Sequence, residues 1–336
     1  MVIIKPYCEF KKGKLYQGDC LEIMNSLPEN SIDLVFADPP YNIGKASWDK
    51  IDNYHIWCEK WIKACCRVLK SNGAFWVSHS NPEELITISM MIKEKGMSRI
   101  NWITWDKYNC NHSQKGFLDG YTILTANRSF HQMAEYLIYH TDEGEWTRQC
   151  DKKRGFIFEP IRKYLVDEKN KSGFHDKEMR SYLGVSLKGG GLLSHYWGRV
   201  QWSLPTQEHY TKLGELFNSR GGGNYLRREY EDLRKEYEDL RYTFNNPGKM
   251  SSVWSIPPTS SSWHITPKPD ELLKRIITTT SNLGDLIFEP FGGSIPGGRV
   301  AAKNERRWIA IEKDLKYCEE AKKQYIQEVE TYKQLF

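Results

Sequence analysis

From Lys14 to about His140, short apolar runs alternate with amphipathic stretches. Four runs have the length and apolar character of buried strands, at residues 32–37, 73–79, 100–106 and 134–140. Residues 54–69 and 82–95 instead show the apolar spacing of helices that are packed on one face. The alternation predicts a largely parallel sheet covered by helices.

The pattern becomes basic, glycine-rich and irregular near residue 144, and the α/β alternation returns after residue 250. The later elements are expected as a helix at 270–280, a strand at 285–288, a helix at 299–303 and a strand at 308–311. A glycine-rich turn lies between the strand at 285–288 and the helix at 299–303. The pattern therefore predicts one α/β domain built from residues 1–143 and 251–336, with residues 144–250 inserted between its halves.

The insertion contains one internal repeat, in which Arg-Glu-Tyr-Glu-Asp-Leu-Arg at 228–234 is followed by Lys-Glu-Tyr-Glu-Asp-Leu-Arg at 235–241. The seven-residue period predicts a helix with one apolar stripe, formed by Tyr230, Leu233, Tyr237 and Leu240. Two interpretations stay open for this stripe. It packs on the core of its own chain, or it forms the contact of a homodimer.

Charge narrows the functional classes. The chain has 336 residues, 39% of them hydrophobic, and a net charge of +5. Residues 151–199 contain eleven lysines and arginines against six acids, so this segment accounts for the whole excess. A basic segment of this kind indicates a polyanionic partner such as double-stranded DNA.

Other features exclude some functional classes. No apolar stretch approaches the roughly 18 residues that cross a bilayer, and the N-terminus lacks the regions of a signal peptide. We therefore expect a cytoplasmic protein with no membrane partner. The eight cysteines contain no Cys-x-x-Cys pair, which favours reduced thiols. No histidine or cysteine cluster has the spacing of a metal site, so no metal is expected.

The strongest chemical signal is Asp38-Pro39-Pro40-Tyr41, directly after the apolar run at 32–37. Open α/β sheets bind ligands at the carboxyl ends of their strands. The exocyclic amine of a nucleobase is a poor nucleophile because its lone pair is delocalised into the ring. Asp38 and the Pro39 carbonyl can each accept one N–H of that amine, which favours a pyramidal nitrogen. Pro39 and Pro40 make the turn rigid, and Tyr41 offers a flat face for stacking an extruded base.

This motif resembles the amino-methyltransferases of DNA, specifically the beta class, in which it precedes the cofactor-binding segment. The matching stretches are residues 18–21, 27–28, 31–45, 264–269, 272–273, 276–277 and 284–294, and relatives of phage and mobile-element type are also similar at 201–206. The resemblance implies an α/β fold with a Rossmann-like sheet that has helices on both faces, as in S-adenosylmethionine-dependent methyltransferases. It also implies that the insertion is a mainly helical target-recognition region.

The resemblance further implies S-adenosyl-L-methionine as the cofactor. Asp19 would lie against its adenine end beside Cys20, and Glu312 would hold the ribose hydroxyls from the end of a strand. Asp38 would border the cofactor as well as the base. The other implied cofactor residues are His264, Lys268, Pro269, Glu289, Pro290, Phe291, Gly292, Gly293 and Ser294.

The glycine-rich turn departs from the family pattern. Relatives usually read Asp-Pro-Phe and then Gly-Ser-Gly-Thr, whereas this chain has Glu289 and then Gly293-Ser-Ile-Pro-Gly-Gly298. Pro296 removes a backbone donor, and Ile295 adds bulk where glycine is usual. The departures predict either weaker cofactor binding or a turn remodelled around its last two glycines.

The insertion is expected to read DNA. Residues 176–183 and 192–200 have helical spacing with Gly184 between them, which resembles a helix-turn-helix. The connection through 188–191 is longer than the usual turn, so a basic target-recognition region of another kind is the alternative. The residues expected to contact DNA are Lys45, Lys177, Arg180, Lys188, Ser194, His195, Tyr196 and Arg199.

These observations favour a site-specific DNA methyltransferase that acts on the N6 amine of adenine after base flipping. Asp, rather than Ser, heads the Pro-Pro-Tyr turn in the adenine-modifying relatives that this chain resembles. Two alternatives stay open: a cytosine-N4 methyltransferase, and a catalytically impaired DNA-binding or partner subunit. A homodimer and a cognate restriction endonuclease are the further partners to consider.

Overall fold

The computed structural model describes residues 4–44, 49–107, 134–142, 158–185, 191–199, 202–220, 223–240, 243–246, 248, 250–259 and 267–330. The chain divides into two compact units. Unit 1 combines Met1–Asp142 with Thr243–Phe336, and unit 2 is Glu143–Tyr242.

Unit 1 contains a sheet that has nine strands within the described residues. The strands are β1 (Cys8–Phe10), β2 (Gly13–Gln17), β3 (Ile32–Ala37), β4 (Leu69–His79), β5 (Met97–Asp106), β6 (Ala134–Asp142), β7 (Val253–Ser255), β8 (Leu286–Glu289) and β9 (Arg307–Glu312). Their order across the sheet is β1-β2-β9-β8-β3-β4-β6-β5-β7. The central strands β2, β9, β8, β3 and β4 pair in parallel, whereas β6 runs antiparallel to both of its neighbours.

The described α-helices flank this sheet or build unit 2. They are α1 (Cys20–Ser26), α2 (Tyr54–Val68), α3 (Pro82–Glu94), α4 (Glu159–Ser172), α5 (Asp176–Leu183), α6 (Leu192–Trp197), α7 (Gln207–Asn218), α8 (Tyr230–Leu240), α9 (Asp270–Thr280), α10 (Pro296–Lys303) and α11 (Leu315–Tyr325). The core on one face of the sheet joins β3 and β4 to α1, α2 and α3. The core on the other face joins the same strands to α9, α10 and α11. The expected α/β fold with helices on both faces is therefore confirmed.

Strand β3 shows why this sheet is covered on both faces. Its side chains alternate between the two cores, with Leu34 and Phe36 on one face and Val35 and Ala37 on the other, and all four are buried. A strand buried on both faces reads as a continuous apolar run, as parallel strands do. Because β3 ends at Ala37, the polar turn that follows begins where the carboxyl end of this strand reaches the edge of the sheet.

Unit 2 is built from α4 to α8 around a core of its own. Leu233 of the heptad helix is fully buried in that core, and Tyr230, Tyr237 and Leu240 pack against it. The apolar stripe of the repeat thus packs on its own unit, as the first of the two interpretations expects.

Within the described residues, no helix is long and apolar enough to cross a membrane. The described cysteines carry free thiols, and four of the six are buried, namely Cys20, Cys58, Cys65 and Cys318. Burial raises the pKa of the Cys65 thiol well above its ordinary value, so this side chain behaves as a small apolar group.

Candidate functional site

Two turns of different chemistry begin side by side at one edge of the sheet. Strand β3 ends at Ala37 and strand β8 ends at Glu289, and the two strands pair in parallel. Their carboxyl ends therefore point to the same edge, where open α/β sheets bind ligands. We name residues 38–41 the Asp-Pro-Pro-Tyr turn and residues 289–298 the glycine turn.

Asp38 is fixed by three other side chains. Its Oδ1 accepts hydrogen bonds from the Tyr41 hydroxyl at 2.8 Å and from the Ser78 hydroxyl, and its Oδ2 lies 2.7 Å from the Lys268 ammonium. A carboxylate has roughly four acceptor positions, so Oδ2 retains one for another donor. The side chain is 22% exposed. Asp38 is thus both oriented and reachable.

Lys268 is buried among acidic and phenolic oxygens. It is 5% exposed, and its Nζ lies 3.5 Å from Glu135 and 3.1 Å from the Tyr41 hydroxyl in addition to its contact with Asp38. Burial alone would lower the pKa of this ammonium, but Asp38 and Glu135 outweigh burial and raise the pKa above its ordinary value. Lys268 therefore stays charged and ties the two carboxylates together.

Glu135 reaches the cluster from a strand that runs the other way. β6 is antiparallel to β4 and pairs Tyr136 with His79, so the start of β6 lies beside the end of β4. The Glu135 carboxylate is mostly buried, and it forms a second ion pair with Lys107, which follows β5. Two carboxylates and two ammonium groups thus alternate along this edge of the sheet. Asp38 pairs with Lys268, Lys268 also pairs with Glu135, and Glu135 also pairs with Lys107.

A chain of hydrogen bonds fixes the second proline of the Asp-Pro-Pro-Tyr turn. The Tyr54 hydroxyl donates to the Pro40 carbonyl at 2.8 Å and lies 3.4 Å from Nε2 of His79. Nδ1 of His79 accepts the backbone N–H of Asn81, so the ring proton of a neutral His79 lies on Nε2 and points to Tyr54. Burial lowers the pKa of His79, which favours this neutral form.

The first proline has a different environment. Among the residues that the structure describes, no donor bonds to the Pro39 carbonyl. The Tyr41 ring lies 4.4 Å from the His79 ring, and burial together with Asp38 and Glu135 raises the pKa of its hydroxyl, which stays protonated. An open pocket beside the turn is lined by Tyr41, Asn42, Ile43, Asn53, Tyr54, His55, Ile56, Asn81 and Glu84.

The glycine turn is braced by the neighbouring strand. The Gly292 N–H donates to the Ile311 carbonyl at 2.7 Å, and the Gly293 N–H donates to Oε2 of Glu312 at 2.7 Å. A side chain at Gly292 would bring its Cβ within 3.1 Å of that carbonyl oxygen. Gly293 has φ +49°, in the left-handed region that favours glycine. Gly292 is therefore favoured by a close approach of two backbones, and Gly293 by its left-handed conformation.

Glu312 holds this turn with one oxygen and the following loop with the other. Its Oε1 accepts the Asp314 N–H at 2.7 Å, and burial raises the pKa of the carboxyl. The Gly18 N–H donates to the Glu312 carbonyl at 2.9 Å, which brings Asp19 to the same edge. Asp19 caps α1 through the Leu21 N–H, and Cys20 is buried next to it in the first turn of α1. The strand ends thus bring together Asp19, Glu312 and the glycine turn.

These groups suit the cofactor that the resemblance implies. The Ser294 hydroxyl is buried and has no hydrogen-bond partner among the described residues, so a polar ligand would satisfy it. The N–H groups of Gly293 and Asp314 bond to the two oxygens of Glu312, and the Lys313 N–H also acts on this carboxyl group, which leaves part of its acceptor capacity for a hydroxyl. Asp19 at the end of β2, Glu312 at the end of β9 and the glycine turn would together hold the nucleoside part.

Glu289 does not face this space. It is 3% exposed, and its two oxygens accept the N–H groups of Gly297 at 2.9 Å and Gly298 at 2.7 Å. Burial raises its pKa to about 8, although those two hydrogen bonds and Arg299 oppose the shift. The carboxyl group therefore acts on the backbone of the turn.

The other predicted residues of unit 1 have structural positions or lie outside the described residues. Phe291 packs against Trp57 and Trp61 of α2, with ring centroids 5.5 Å apart in both pairs. Pro290 is buried, and Pro269 is the residue that precedes α9. The expectations for His264 and Lys45 lie outside the described residues.

The predicted DNA contacts of unit 2 differ in exposure. Lys177, Ser194 and Arg199 are exposed, and Arg180 and His195 are half-buried, whereas Lys188 lies outside the described residues. Tyr196 is 1% exposed, and its hydroxyl bonds to His209 at 2.7 Å. The expectation of a base contact by Tyr196 is therefore wrong for this arrangement, because its ring belongs to the core of unit 2. The helix that carries it ends at Trp197, three residues before the predicted end.

Five residues of the site escaped the sequence analysis, namely Tyr54, Ser78, His79, Lys107 and Glu135. Tyr54 is the first residue of α2, and each of the other four lies at or next to one end of a strand that the apolar pattern did predict. For those four, a polar residue at either end of an apolar run was the available signal. That signal alone does not tell which strand ends meet, because the strand order is not a local property of the sequence.

Comparisons with known proteins agree with this geometry. A family model described as DNA methylase matches residues 32–323. Among curated proteins, the chain is similar to the Type II methyltransferase M2.MboI of Moraxella bovis, with 25% identity over 348 residues that cover 96% of this chain and 91% of the relative. No group of three or more metal-ligating side chains occurs in the described part of the chain.

Two solved structures share the fold. The PvuII DNA methyltransferase, described as cytosine-N4-specific, has a TM-score of 0.54 and 16% identity, with 95% of this chain and 88% of that chain covered. TTHA0409 of Thermus thermophilus, solved in complex with S-adenosyl-L-methionine, has a TM-score of 0.50 and 18% identity, with 94% of this chain and 93% of that chain covered.

Proposed function

The chain belongs to the DNA methylase family, and we propose that it transfers the methyl group of S-adenosyl-L-methionine to the N6 amine of adenine in double-stranded DNA. S-adenosyl-L-methionine is the cofactor, and it supplies a methyl group that is electrophilic because it is bonded to a sulfonium. The observation that carries the proposal is the cluster around Asp38, whose carboxylate is oriented by three side chains and keeps one acceptor position beside the Pro39 carbonyl.

The two acceptors of the turn make the exocyclic amine more nucleophilic, which it must become because its lone pair is delocalised into the ring. One N–H of the amine donates to Oδ2 of Asp38 and the other donates to the Pro39 carbonyl, so that the nitrogen lone pair leaves the plane of the ring. With the cofactor bound, the nitrogen would form its bond to the methyl carbon as the bond from that carbon to the sulfonium sulfur breaks, with S-adenosylhomocysteine as the leaving group. The proton that the amine then loses would go to Asp38, whose Oδ2 is placed to receive it. The role of the protein is alignment and proton acceptance, since no covalent intermediate with the protein is required.

The ion pairs around Asp38 support a working active site over a catalytically impaired subunit. Burying two carboxylates and two ammonium groups costs free energy unless their geometry is good. A chain that no longer catalysed methyl transfer would have little reason to keep Lys268 between Asp38 and Glu135. Tyr41 lines the open pocket and offers its ring to an extruded base.

Unit 2 is proposed as the target-recognition region. Its exposed Lys177, Ser194 and Arg199, with the half-buried Arg180 and His195, form the proposed DNA surface, and Tyr196 is excluded from it. Arg199 lies 3.3 Å from Glu159, so binding of a phosphate there would compete with that ion pair.

Replacing Lys177 by alanine should reduce the salt dependence of DNA binding by about one counterion, measured by fluorescence anisotropy. An unchanged salt slope would remove Lys177 from the surface.

The proposal is tested by the modified base itself. The protein is produced in a bacterial strain that lacks adenine methylation, and its DNA is digested to nucleosides and measured by mass spectrometry. N6-methyladenine that disappears in Asp38→Ala is the expected result. N4-methylcytosine without N6-methyladenine would establish the cytosine alternative. Absence of both, together with no binding of S-adenosyl-L-methionine in calorimetry, would establish the non-catalytic alternative.

The relative M2.MboI is called a Type II methyltransferase, which makes a cognate restriction endonuclease the partner to look for. Such an endonuclease would cleave the unmodified target sequence of this enzyme. The corresponding measurement is protection of host DNA from cleavage after expression of the chain. A homodimer is measured separately by sedimentation.

A further inference from the structure

The first turn of α10 has no backbone donor left for a ligand. Pro296 has no N–H, and the Arg299 N–H donates to the Ile295 carbonyl. The remaining donors belong to Gly297 and Gly298, and each is taken by one oxygen of Glu289. The N-terminal donors of this helix are therefore all satisfied within the protein, and two of them bond to a buried carboxyl group.

The same carboxyl group leaves no room for a side chain at residue 297. A Cβ built on Gly297 would lie 2.5 Å from Oε1 of Glu289 and 2.6 Å from its carboxyl carbon. A Cβ on Gly298 would instead lie 2.9 Å from the ring of Trp308. The two adjacent glycines are thus required by two different neighbours.

The acid at residue 289 departs from the pattern that the family resemblance implies. In that pattern an aspartate stands where this chain has Glu289. An aspartate is shorter by one methylene group, so its carboxylate would lie farther from the helix. Ile295, buried at φ +48°, marks the place where the turn bends to bring Gly297 onto Glu289.

We propose that Glu289 and Gly297 form a matched pair that sets the shape of the glycine turn and so positions the cofactor. Glu289 is then a positioning residue that acts through the backbone. Residues 292–294, on the other side of the bend, carry the close approach to β9, the bond to Glu312 and the partnerless Ser294 hydroxyl. This inference rests on the proposed function, because it concerns the seat of S-adenosyl-L-methionine.

The test is a rescue of one substitution by another. Gly297→Ala should weaken binding of S-adenosyl-L-methionine by about tenfold or more in calorimetry, because the new methyl group meets Glu289. Adding Glu289→Asp should restore the affinity to within about threefold, since the shorter acid withdraws. Alanine forms helices better than glycine, so a loss in Gly297→Ala is not a loss of helix propensity.

Gly298→Ala is the matched control. It makes the same change one residue later, but its methyl group meets Trp308, so Glu289→Asp should not rescue it. Methylation at saturating cofactor should separate the effects further. A positioning role raises the KM for the cofactor in Gly297→Ala and leaves kcat within about threefold, whereas a loss of the folded state lowers the active fraction and hence the apparent kcat.

The outcomes separate this inference from the proposed function. Equal rescue of both glycine variants, or rescue of neither while the wild type binds cofactor, overturns the matched pair alone. A wild type that binds no S-adenosyl-L-methionine overturns the positioning of a cofactor together with the proposed function. Rescue of the melting temperature of Gly297→Ala by Glu289→Asp, with no rescue of affinity, would reduce the pair to a packing contact.

Discussion

The two turns at the edge of the sheet each depend on an acid, but they use it in opposite ways. Asp38 keeps part of its surface open and is surrounded by side chains, three of which bond to it. Glu289 is buried and bonds to the backbone of the next helix. The first arrangement leaves an acceptor for a substrate, and the second leaves none.

This difference shows how strand order assigns roles to similar residues. β3 and β8 are neighbours, and the acid at the end of each is followed by proline. After β3 the chain turns toward Lys268 and Ser78, which supply charge and hydroxyl groups. After β8 the glycine turn leads into α10, and the first N–H groups of that helix donate to the carboxyl group. The chemistry of an acid is therefore decided by what its turn meets.

The largest expected effect comes from removing the acid that faces the substrate. Asp38→Ala should lower the methylation rate by about 10³-fold, a loss typical of a missing transition-state contact, because one N–H of the amine loses its acceptor. The affinity for S-adenosyl-L-methionine should change by less than about threefold in calorimetry. Asp52→Ala, at an exposed position, is the control and should retain its rate. Retained turnover in Asp38→Ala would contradict the mechanism.

Removing one charged partner from the cluster around Asp38 should lower the stability of the fold. Lys268→Met removes the buried cation that Asp38 and Glu135 share and leaves Glu135 with Lys107 alone, which should lower the free energy of unfolding by about 3 kcal/mol, measured by urea denaturation. Adding Glu135→Gln should recover part of that loss. Lys14→Met breaks an exposed ion pair with Glu9 and should cost less than about 1 kcal/mol. Equal losses in Lys268→Met and Lys14→Met would refute the role of Lys268.

Much of the fold was predictable because it depends on local patterns. The apolar runs gave β3 and α9 with the observed bounds, and they placed β4, β5 and β6 within a few residues. The hairpin of β1 and β2 and the short strand β7 were not predicted. Strands of three to five residues with exposed positions carry too little periodicity to be recognised.

The candidate site was predictable only where a motif is continuous. Asp38 to Tyr41 lie together in the sequence, whereas Glu135 joins them because β6 runs antiparallel beside β4. The helix after the glycine turn begins at Pro296, three residues before the predicted start. Proline suits the first position of a helix, and Glu289 satisfies the donors that follow it. The two expectations for this turn, weaker cofactor binding or a turn remodelled around its last two glycines, both stay predictions.

The buried acid should make stability depend on pH in a defined direction. The pKa of Glu289 is raised to about 8 in the folded protein, above the ordinary value for an unfolded chain. The folded state therefore keeps a proton that the unfolded state has lost, and its stability is lost as pH rises from about 5 to about 8. Arg299 lowers the pKa of Glu289 and the Asp38 carboxylate raises it, so both groups act on this acid.

Comparison with Glu289→Gln isolates this contribution. The melting temperature of the wild type relative to Glu289→Gln should fall steadily with rising pH across that interval. Glu22→Gln changes an acid in the first turn of α1 and serves as the control. Its melting temperature should change with pH as that of the wild type does. A difference between wild type and Glu289→Gln that does not vary with pH would show that Glu289 ionises as an ordinary carboxyl group.

The smallest expected effect concerns the hydrogen bond that fixes the second proline. Tyr54→Phe removes the donor to the Pro40 carbonyl and the partner of His79, so the free energy of unfolding should fall by about 1 kcal/mol. The methylation rate should fall several-fold, because the Pro39 carbonyl is aligned by the same rigid turn. Tyr182→Phe, which removes an exposed hydroxyl that bonds to Glu215 in unit 2, should change neither quantity measurably. If Tyr54→Phe loses stability and keeps its full rate, the prolines alone hold the turn in its active shape, and the hydrogen-bond chain through His79 serves only the fold.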